Sequence, residues 1–148
     1  MAAIQFENVI PAPLFNVSSS VVMTEGPSTG NFPTPPPINP SIAIQTDQST
    51  VFTFNWSISG MLVGWLNGHW KFDVFYELMG PSEASFPVPS TIVNNIASGT
   101  TTITVAPNTV AEGVYRIVVR MMLLKTNNTN PSPICGFVDL GLREYYKG

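Results

Sequence analysis

The chain has 148 residues, of which 44% are hydrophobic and 10% are charged, and its net charge is −3. This length fits one domain with a substantial core, while the six scattered basic residues exclude the basic stripe that nucleic-acid binding requires. No apolar run approaches the roughly 18–20 residues that cross a bilayer, and we expect no secretory leader. An average soluble protein carries about 25% charged residues, so the low charge favours permanent assembly. The alternative is the Ser/Thr/Asn-rich surface of an extracellular sandwich.

Residues 1–40 are predicted to form an extended, Pro-rich N-terminal arm. The prolines, including the run at 33–37, exclude helix and favour extended backbone, and the segment is too apolar for a disordered linker. We expect a strand at 17–24 and an arm that lies on its own core or docks on a neighbouring subunit. The apolar residues that would make these contacts are Ile4, Phe6, Val9, Ile10, Leu14, Phe15, Val21 and Val22.

Residues 41–148 are predicted to form an all-β domain that begins with a short strand at 42–46. In 51–59, apolar residues such as Trp56 alternate with Thr, Asn and Ser, which is typical of a strand with one solvated face. A second alternation covers 70–78. Both segments are therefore predicted to be strands.

The dipeptide Asn67-Gly68 between these two strands favours a tight hairpin turn. Continuing that hairpin would place the polar face of one strand beside the apolar face of the other. We therefore predict a β-bulge at Gly60 or Gly64 that relieves the conflict. The alternative is that 60–68 crosses between two sheets.

The rest of the domain is predicted to contain an edge strand at 91–93 and strands at 100–105, 113–124 and 136–146. The far half of 113–124 is apolar on both faces, which indicates a strand covered on both sides. Residues 1–25 are our first candidates for the outer cover. In the last strand, Val138, Leu140 and Leu142 are predicted to face the core.

Gly113-Val114-Tyr115, which opens a strand of alternating apolar residues, resembles the penultimate strand of immunoglobulin-like and fibronectin-III-like sandwiches. Trp70, early in the third strand, is similar to their core tryptophan. The resemblance covers 41–148 and implies a two-layer antiparallel β-sandwich in which the Tyr115 hydroxyl bonds back to the backbone. The chain departs from the family because Cys135 is alone and because a tight hairpin at 58–76 would keep in one sheet two strands that the family separates.

Candidate chemical sites are few. His69 is the only histidine and Cys135 the only cysteine, so the ligand set of a metal site is missing. No nucleophile motif accompanies His69. Asp73 and Glu77, the nearest acids on one strand face, are interpreted as solvated carboxylates rather than a glycosidase pair. We predict no catalytic residue, no metal, no cofactor and no enzyme activity.

Trp65, His69 and Trp70 form a candidate aromatic platform for a sugar ring around the predicted turn. For Trp70 we favour a place in the core. Trp65 either packs across from Trp70 as a strand pair or belongs to the platform.

The sequence thus predicts a structural or interaction protein that self-assembles through a charge-poor surface, with the arm docking on a neighbouring subunit, as in filaments, capsids, tails or surface layers. The alternatives are a carbohydrate-binding sandwich that uses Trp65 and Trp70, and an accessory domain that binds one protein partner. The expected location is extracellular or within an assembled particle without a classical signal peptide, and the alternative is the cytoplasm.

Overall fold

The computed structural model describes residues 2–7, 10–11, 13–28, 43–65, 68–80, 85–86, 90–94, 97–125 and 131–148. Its strands are β1 (Ala2–Ala3), β2 (Gln5–Phe6), β3 (Asn16–Ser28), β4 (Ala43–Gln45), β5 (Gln48–Ser59), β6 (His69–Leu78), β7 (Ser85–Phe86), β8 (Thr91–Asn94), β9 (Ser98–Val105), β10 (Gly113–Leu124) and β11 (Pro131–Tyr146), with a 3₁₀ turn at Val63–Trp65. These ranges contain no α-helix, so the described chain is all-β. They also hold no helix whose length and apolar character would let it cross a membrane.

The strands form two mostly antiparallel sheets. The first sheet has the order β1-β3-β5-β9, and the second has the order β2-β11-β10-β6-β7, with β4 beside β11 and β8 beside β6. The inner faces share one core, because the rings of Phe54 and Trp56 in the first sheet lie 4.8 and 5.1 Å from the Phe72 ring of the second. This two-layer arrangement is compatible with a β-sandwich.

The predicted hairpin between β5 and β6 is wrong. β5 pairs with β3 and β9 in the first sheet, whereas β6 pairs with β10 in the second. Segment 60–68 therefore crosses between the sheets, as the alternative held, and Asn67 lies outside the described residues. The reason is that the apolar faces of β5 and β6 face each other across the core, so neither strand needs a bulge to match the other.

Gly60 has a specific role at the start of the crossing. Its φ is 120°, and a Cβ atom there would overlap the Leu14 carbonyl oxygen. The Leu62 N–H donates to that same carbonyl at 2.9 Å. Only glycine combines this backbone conformation with so close an approach.

Residues 2–7 and 13–28 contribute three strands to the sheets of their own chain. β3 confirms the strand predicted at 17–24 and pairs along its length with β5, while β1 pairs with β3 and β2 pairs with β11. Among the predicted arm contacts, Ile4, Phe15 and Val21 are buried, Phe6, Ile10 and Val22 are half-buried, Leu14 is exposed, and Val9 lies outside the described residues. The Pro-rich run at 33–37 also lies outside them.

The last strand departs from the prediction at Leu142, which is 47% exposed rather than inward. Leu140 and Gly141 both lie opposite Ile117 of β10, so β11 contains a β-bulge. Gly141 adopts a positive φ of 82°, and its N–H donates to Asp139 Oδ1 at 2.8 Å. One extra residue reverses the alternation of side chains, which turns Leu142 outward.

Three tyrosines occupy the core at one end of the sheets. The Tyr115 hydroxyl donates to the Ala111 carbonyl at 2.9 Å, which is the backbone bond that the resemblance implies. The Tyr145 hydroxyl lies 3.0 Å from the Tyr76 hydroxyl and 2.9 Å from Thr50 Oγ1 in the first sheet. Burial raises the pKa of both Tyr76 and Tyr145, so their hydroxyls stay protonated and link the two sheets.

Candidate interaction surface

The outer face of the second sheet concentrates the exposed apolar side chains of the described residues. Six of the nine large hydrophobic residues that are exposed lie on this face: Phe75, Ile92, Val114, Phe137, Leu142 and Tyr146. We call it the apolar face and define it as the outward residues Lys71, Asp73, Phe75, Glu77, Ile92, Val114, Arg116, Val118, Arg120, Met122, Cys135, Phe137, Asp139, Leu142, Glu144 and Tyr146. Exposed patches of this kind mark interaction surfaces.

Strand register brings these residues together. β10 lies between β6 and β11, so each outward residue of β10 has a neighbour on both sides. Arg120 lies opposite Asp73 on β6 and Phe137 on β11, and Val118 lies opposite Phe75 on β6. The two phenylalanines therefore lie on opposite sides of β10.

Asp73 is the charged group at the centre of the apolar face. Its Oδ2 accepts from Arg120 Nη2 at 2.7 Å and from Arg120 Nε at 3.1 Å, and Lys71 Nζ lies 3.6 Å from its Oδ1. The guanidinium carbon of Arg120 lies 4.9 Å from the centroid of the Phe75 ring. Asp73 is only 7% exposed, so its interpretation as a solvated carboxylate is wrong. A carboxylate removed from water requires such partners.

The periphery of the apolar face carries a more solvated ion pair. Arg116 Nε lies 3.5 Å from Asp139 Oδ2, and both side chains are about half exposed. Glu77, which is exposed, lies opposite Arg116. In total the face contains three basic and four acidic residues: Lys71, Arg116, Arg120, Asp73, Glu77, Asp139 and Glu144, which lies opposite Val114. Because the two signs nearly balance, a copy of this face can approach it with an excess of only one acid on each side.

Cys135 supplies a chemical probe on the apolar face. It is a free, half-exposed cysteine that lies opposite Met122. Burial raises the pKa of its thiol, so the thiolate that reacts with alkylating agents is a minor species at neutral pH. Its alkylation rate will therefore be slow and sensitive to further burial.

The residues of the predicted sugar platform do not form one described surface. Trp70 is fully buried in the core, and its ring contacts Phe6 at a centroid distance of 6.2 Å. It therefore cannot offer its face to a ligand. His69 is half-buried at the start of β6, where it pairs with Leu124. The side chain of Trp65 lies outside the described residues.

The prediction that residues 1–25 cover the outer face of β10 is wrong for the part of that segment that the structure describes. β2 pairs at the edge of β11, and β1 and β3 belong to the first sheet. The two-sided apolar pattern of 113–124 did predict an apolar outer face. No local signal marked the Asp73–Arg120 pair, because its members are 47 residues apart.

The structure also contains a cavity of about 220 Å³ between β2 and the segment 10–17. Phe6, Ile10 and Phe15 line it, and Glu7 is the ionisable side chain among its described lining residues. Ligand pockets are typically about 300–1,000 Å³ with several convergent polar groups. This cavity is therefore a weaker candidate for a site than the apolar face.

Among the residues that the structure describes, no three or more His, Cys, Asp and Glu side chains are grouped to hold a metal ion. The absence of metal, cofactor and enzyme activity stays a prediction. No protein-family model matches this chain, and no curated protein matches it either. The apolar face is therefore the feature of the described residues that points to a function.

Proposed function

We propose that this chain is an immunoglobulin-like β-sandwich that works as a structural or interaction protein and associates with copies of itself through the apolar face. The observation that carries the proposal is the set of exposed apolar residues around the partly buried Asp73–Arg120 pair. Aromatic residues and arginine are enriched at the centres of protein interfaces. Filament, capsid, tail and surface-layer subunits all depend on contacts of this kind.

Two features support the immunoglobulin-like part of the proposal. The chain passes from the first sheet to the second between β5 and β6, as the second and third strands of that family do. Tyr115 lies near the start of β10 and donates to the backbone at Ala111, as the family's corner tyrosine does.

The balance of charge supports a second copy as the occupant of the apolar face. A strongly acidic or basic partner would require a large excess of one sign, whereas this face carries four acids against three bases. Docking of the N-terminal arm on a neighbour is not part of the proposal, because β3 lies between β1 and β5 in its own sheet.

Replacement of Phe137 by lysine tests the apolar face. Phe137 is 49% exposed, so the monomer should tolerate Phe137→Lys, whereas a contact between copies would have to bury the new charge. Light scattering should give the unmodified chain a mass that is a multiple of 16.0 kDa. The mass of the variant should be at most half the mass of the unmodified assembly.

Met61→Lys is the matched control, because Met61 is 74% exposed but lies in the crossing between the sheets. It should keep the unmodified mass. A 16.0 kDa particle for the unmodified chain, or an unchanged mass for Phe137→Lys, would overturn the proposal. A monomer that binds a different protein through this face would support the accessory-domain alternative instead.

A further inference from the structure

We propose that β9 provides a second contact, in which it pairs antiparallel with β9 of another copy so that the two first sheets become one continuous sheet. The inference rests on the proposed self-assembly, but it concerns a different surface of the molecule.

β9 differs from the other sheet edges because nothing in the described residues protects it. At the opposite edge of the first sheet, β3 is partly covered by β1 and has a register shift between Glu25 and Ser28, where Pro27 also lies. The second sheet ends in strands of two to four residues on both sides. β9 has eight residues, pairs with β5 without a register shift, and has no strand on its other side within the described ranges.

The composition of β9 also lacks the usual means of blocking an edge. Natural sheets protect exposed edges with charged residues, prolines, bulges or short strands. β9 reads Ser-Gly-Thr-Thr-Thr-Ile-Thr-Val, with no charge and no proline. Threonine, isoleucine and valine favour the strand conformation. With no strand beside it in the described ranges, the N–H and C=O groups on its outer edge form a regular template for another strand.

The sequence of β9 is complementary to itself. A two-fold axis at Thr102 would set Thr102 opposite Thr102 of the second copy and Thr100 opposite Thr104 on the outer face. On the inner face, Thr101 would lie opposite Ile103, which is buried. Threonine pairs across antiparallel strands are favourable, and no like charges would meet. A second copy is therefore the occupant that this edge fits.

The two contacts together would extend the assembly beyond a dimer. Each contact alone is two-fold and closes a pair. A molecule with one contact on the outer face of its second sheet and another at the edge of its first sheet can bind two different neighbours. This arrangement produces a chain or a closed ring of subunits.

A charge exchange at Thr102 tests the edge contact. Thr102 is exposed on the outer face, so lysine or glutamate should leave the monomer folded, as unfolding followed by tryptophan fluorescence will check. Thr102→Lys and Thr102→Glu should each weaken the contact at least about tenfold, because like charges would meet at the axis. An equimolar mixture should recover the mass of the unmodified chain.

Ser57→Lys is the control, because Ser57 is exposed on the same outer face but lies on the interior strand β5. It should keep the unmodified mass. An unchanged mass for Thr102→Lys would overturn the edge contact and leave the apolar face untouched. Loss of mass without recovery in the mixture would overturn the two-fold register.

Combination with Phe137→Lys separates the two contacts. If both contacts exist, the Phe137→Lys variant should form a dimer of twice 16.0 kDa that is held together by the β9 contact. The double variant Phe137→Lys, Thr102→Lys should be a monomer. A Phe137→Lys variant that is already a 16.0 kDa monomer would contradict edge pairing while supporting the apolar face.

Discussion

The two sheets share one core but present opposite chemistry on their outer faces. Outward residues of β5 and β9 in the first sheet are mostly Ser, Thr and Asn, and Glu25 is the one charged residue in the four strands of that sheet. The second sheet exposes Phe75 and Phe137 around a partly buried ion pair. In both sheets, side chains alternate between the inner and the outer face. The inward residues build the shared core, and the outward residues determine what each outer face can bind.

This contrast also explains the low charge of the whole chain. Three of its six basic residues lie on the apolar face, where acids pair with Arg116 and Arg120. The outer face of the first sheet contacts water through hydroxyl and amide groups instead of charge. The low overall charge thus reflects two different surfaces, a neutral polar one and an apolar one that carries ion pairs.

The largest expected effect is the difference in stability between a substitution in the shared core and one on the outer face. Phe72 is fully buried and contacts Phe54 and Trp56 across the core, so Phe72→Ala should lower the free energy of unfolding by about 3–5 kcal/mol. Phe75 lies on the same strand but is 43% exposed, and Phe75→Ala should cost less than about 1 kcal/mol. Urea unfolding followed by fluorescence measures both, and equal losses would contradict the assignment of inner and outer faces.

A smaller effect distinguishes the two ion pairs of the apolar face. Asp73→Asn would leave Arg120 and Lys71 without the carboxylate that they share, and we expect a loss of about 1–3 kcal/mol in the free energy of unfolding. Asp139→Asn removes only the exposed partner of Arg116 and should cost about 0–0.5 kcal/mol. The reverse order in urea unfolding would show that Asp73 is not the centre of the face.

Alkaline pH tests the hydroxyl link between the sheets. Burial raises the pKa of Tyr76 and Tyr145, so above the ordinary tyrosine pKa of about 10 the unfolded chain loses protons that the folded chain keeps. Stability is then present below that pH and falls above it, by up to about 1.4 kcal/mol per pH unit for each tyrosine.

Urea unfolding of Tyr145→Phe at a series of alkaline pH values provides the comparison. This variant should begin less stable, because it loses the hydroxyl contacts to Tyr76 and Thr50. Its stability should also fall less steeply with pH than that of the unmodified chain. Equal slopes would mean that Tyr145 does not keep its proton in the folded state.

Local patterns in the sequence predicted most of the strands but not their partners. Alternation identified β5, β6, β9 and β10, because each buries one face, and the extended character of the arm suggested β3. The Asn67-Gly68 signal suggested the wrong pairing, since the choice of partner depends on how two apolar faces meet across the core rather than on one turn. Leu142 was assigned inward because a bulge at Gly141 leaves no trace in a period-two pattern.

The candidate surface was predictable only in outline. The two-sided apolar pattern of 113–124 indicated that the outer face of this strand is unusual for a two-layer protein. Trp70 belongs to the core, as the favoured interpretation held, whereas the role of Asp73 depends on its pairing with Arg120 on a distant strand. Contacts between segments far apart in sequence carry this information, and local periodicity does not.

Alkylation of Cys135 in the unmodified chain tests most directly whether the apolar face is a contact between copies. Cys135 lies on that face beside Met122 and is half-exposed in the isolated chain. At constant pH and reagent concentration, the first-order rate constant for its alkylation should fall steeply as protein concentration rises, in parallel with the increase in mass measured by light scattering. The Phe137→Lys variant should not show this dependence on protein concentration. An alkylation rate that stays constant while the mass increases would show that the copies meet elsewhere.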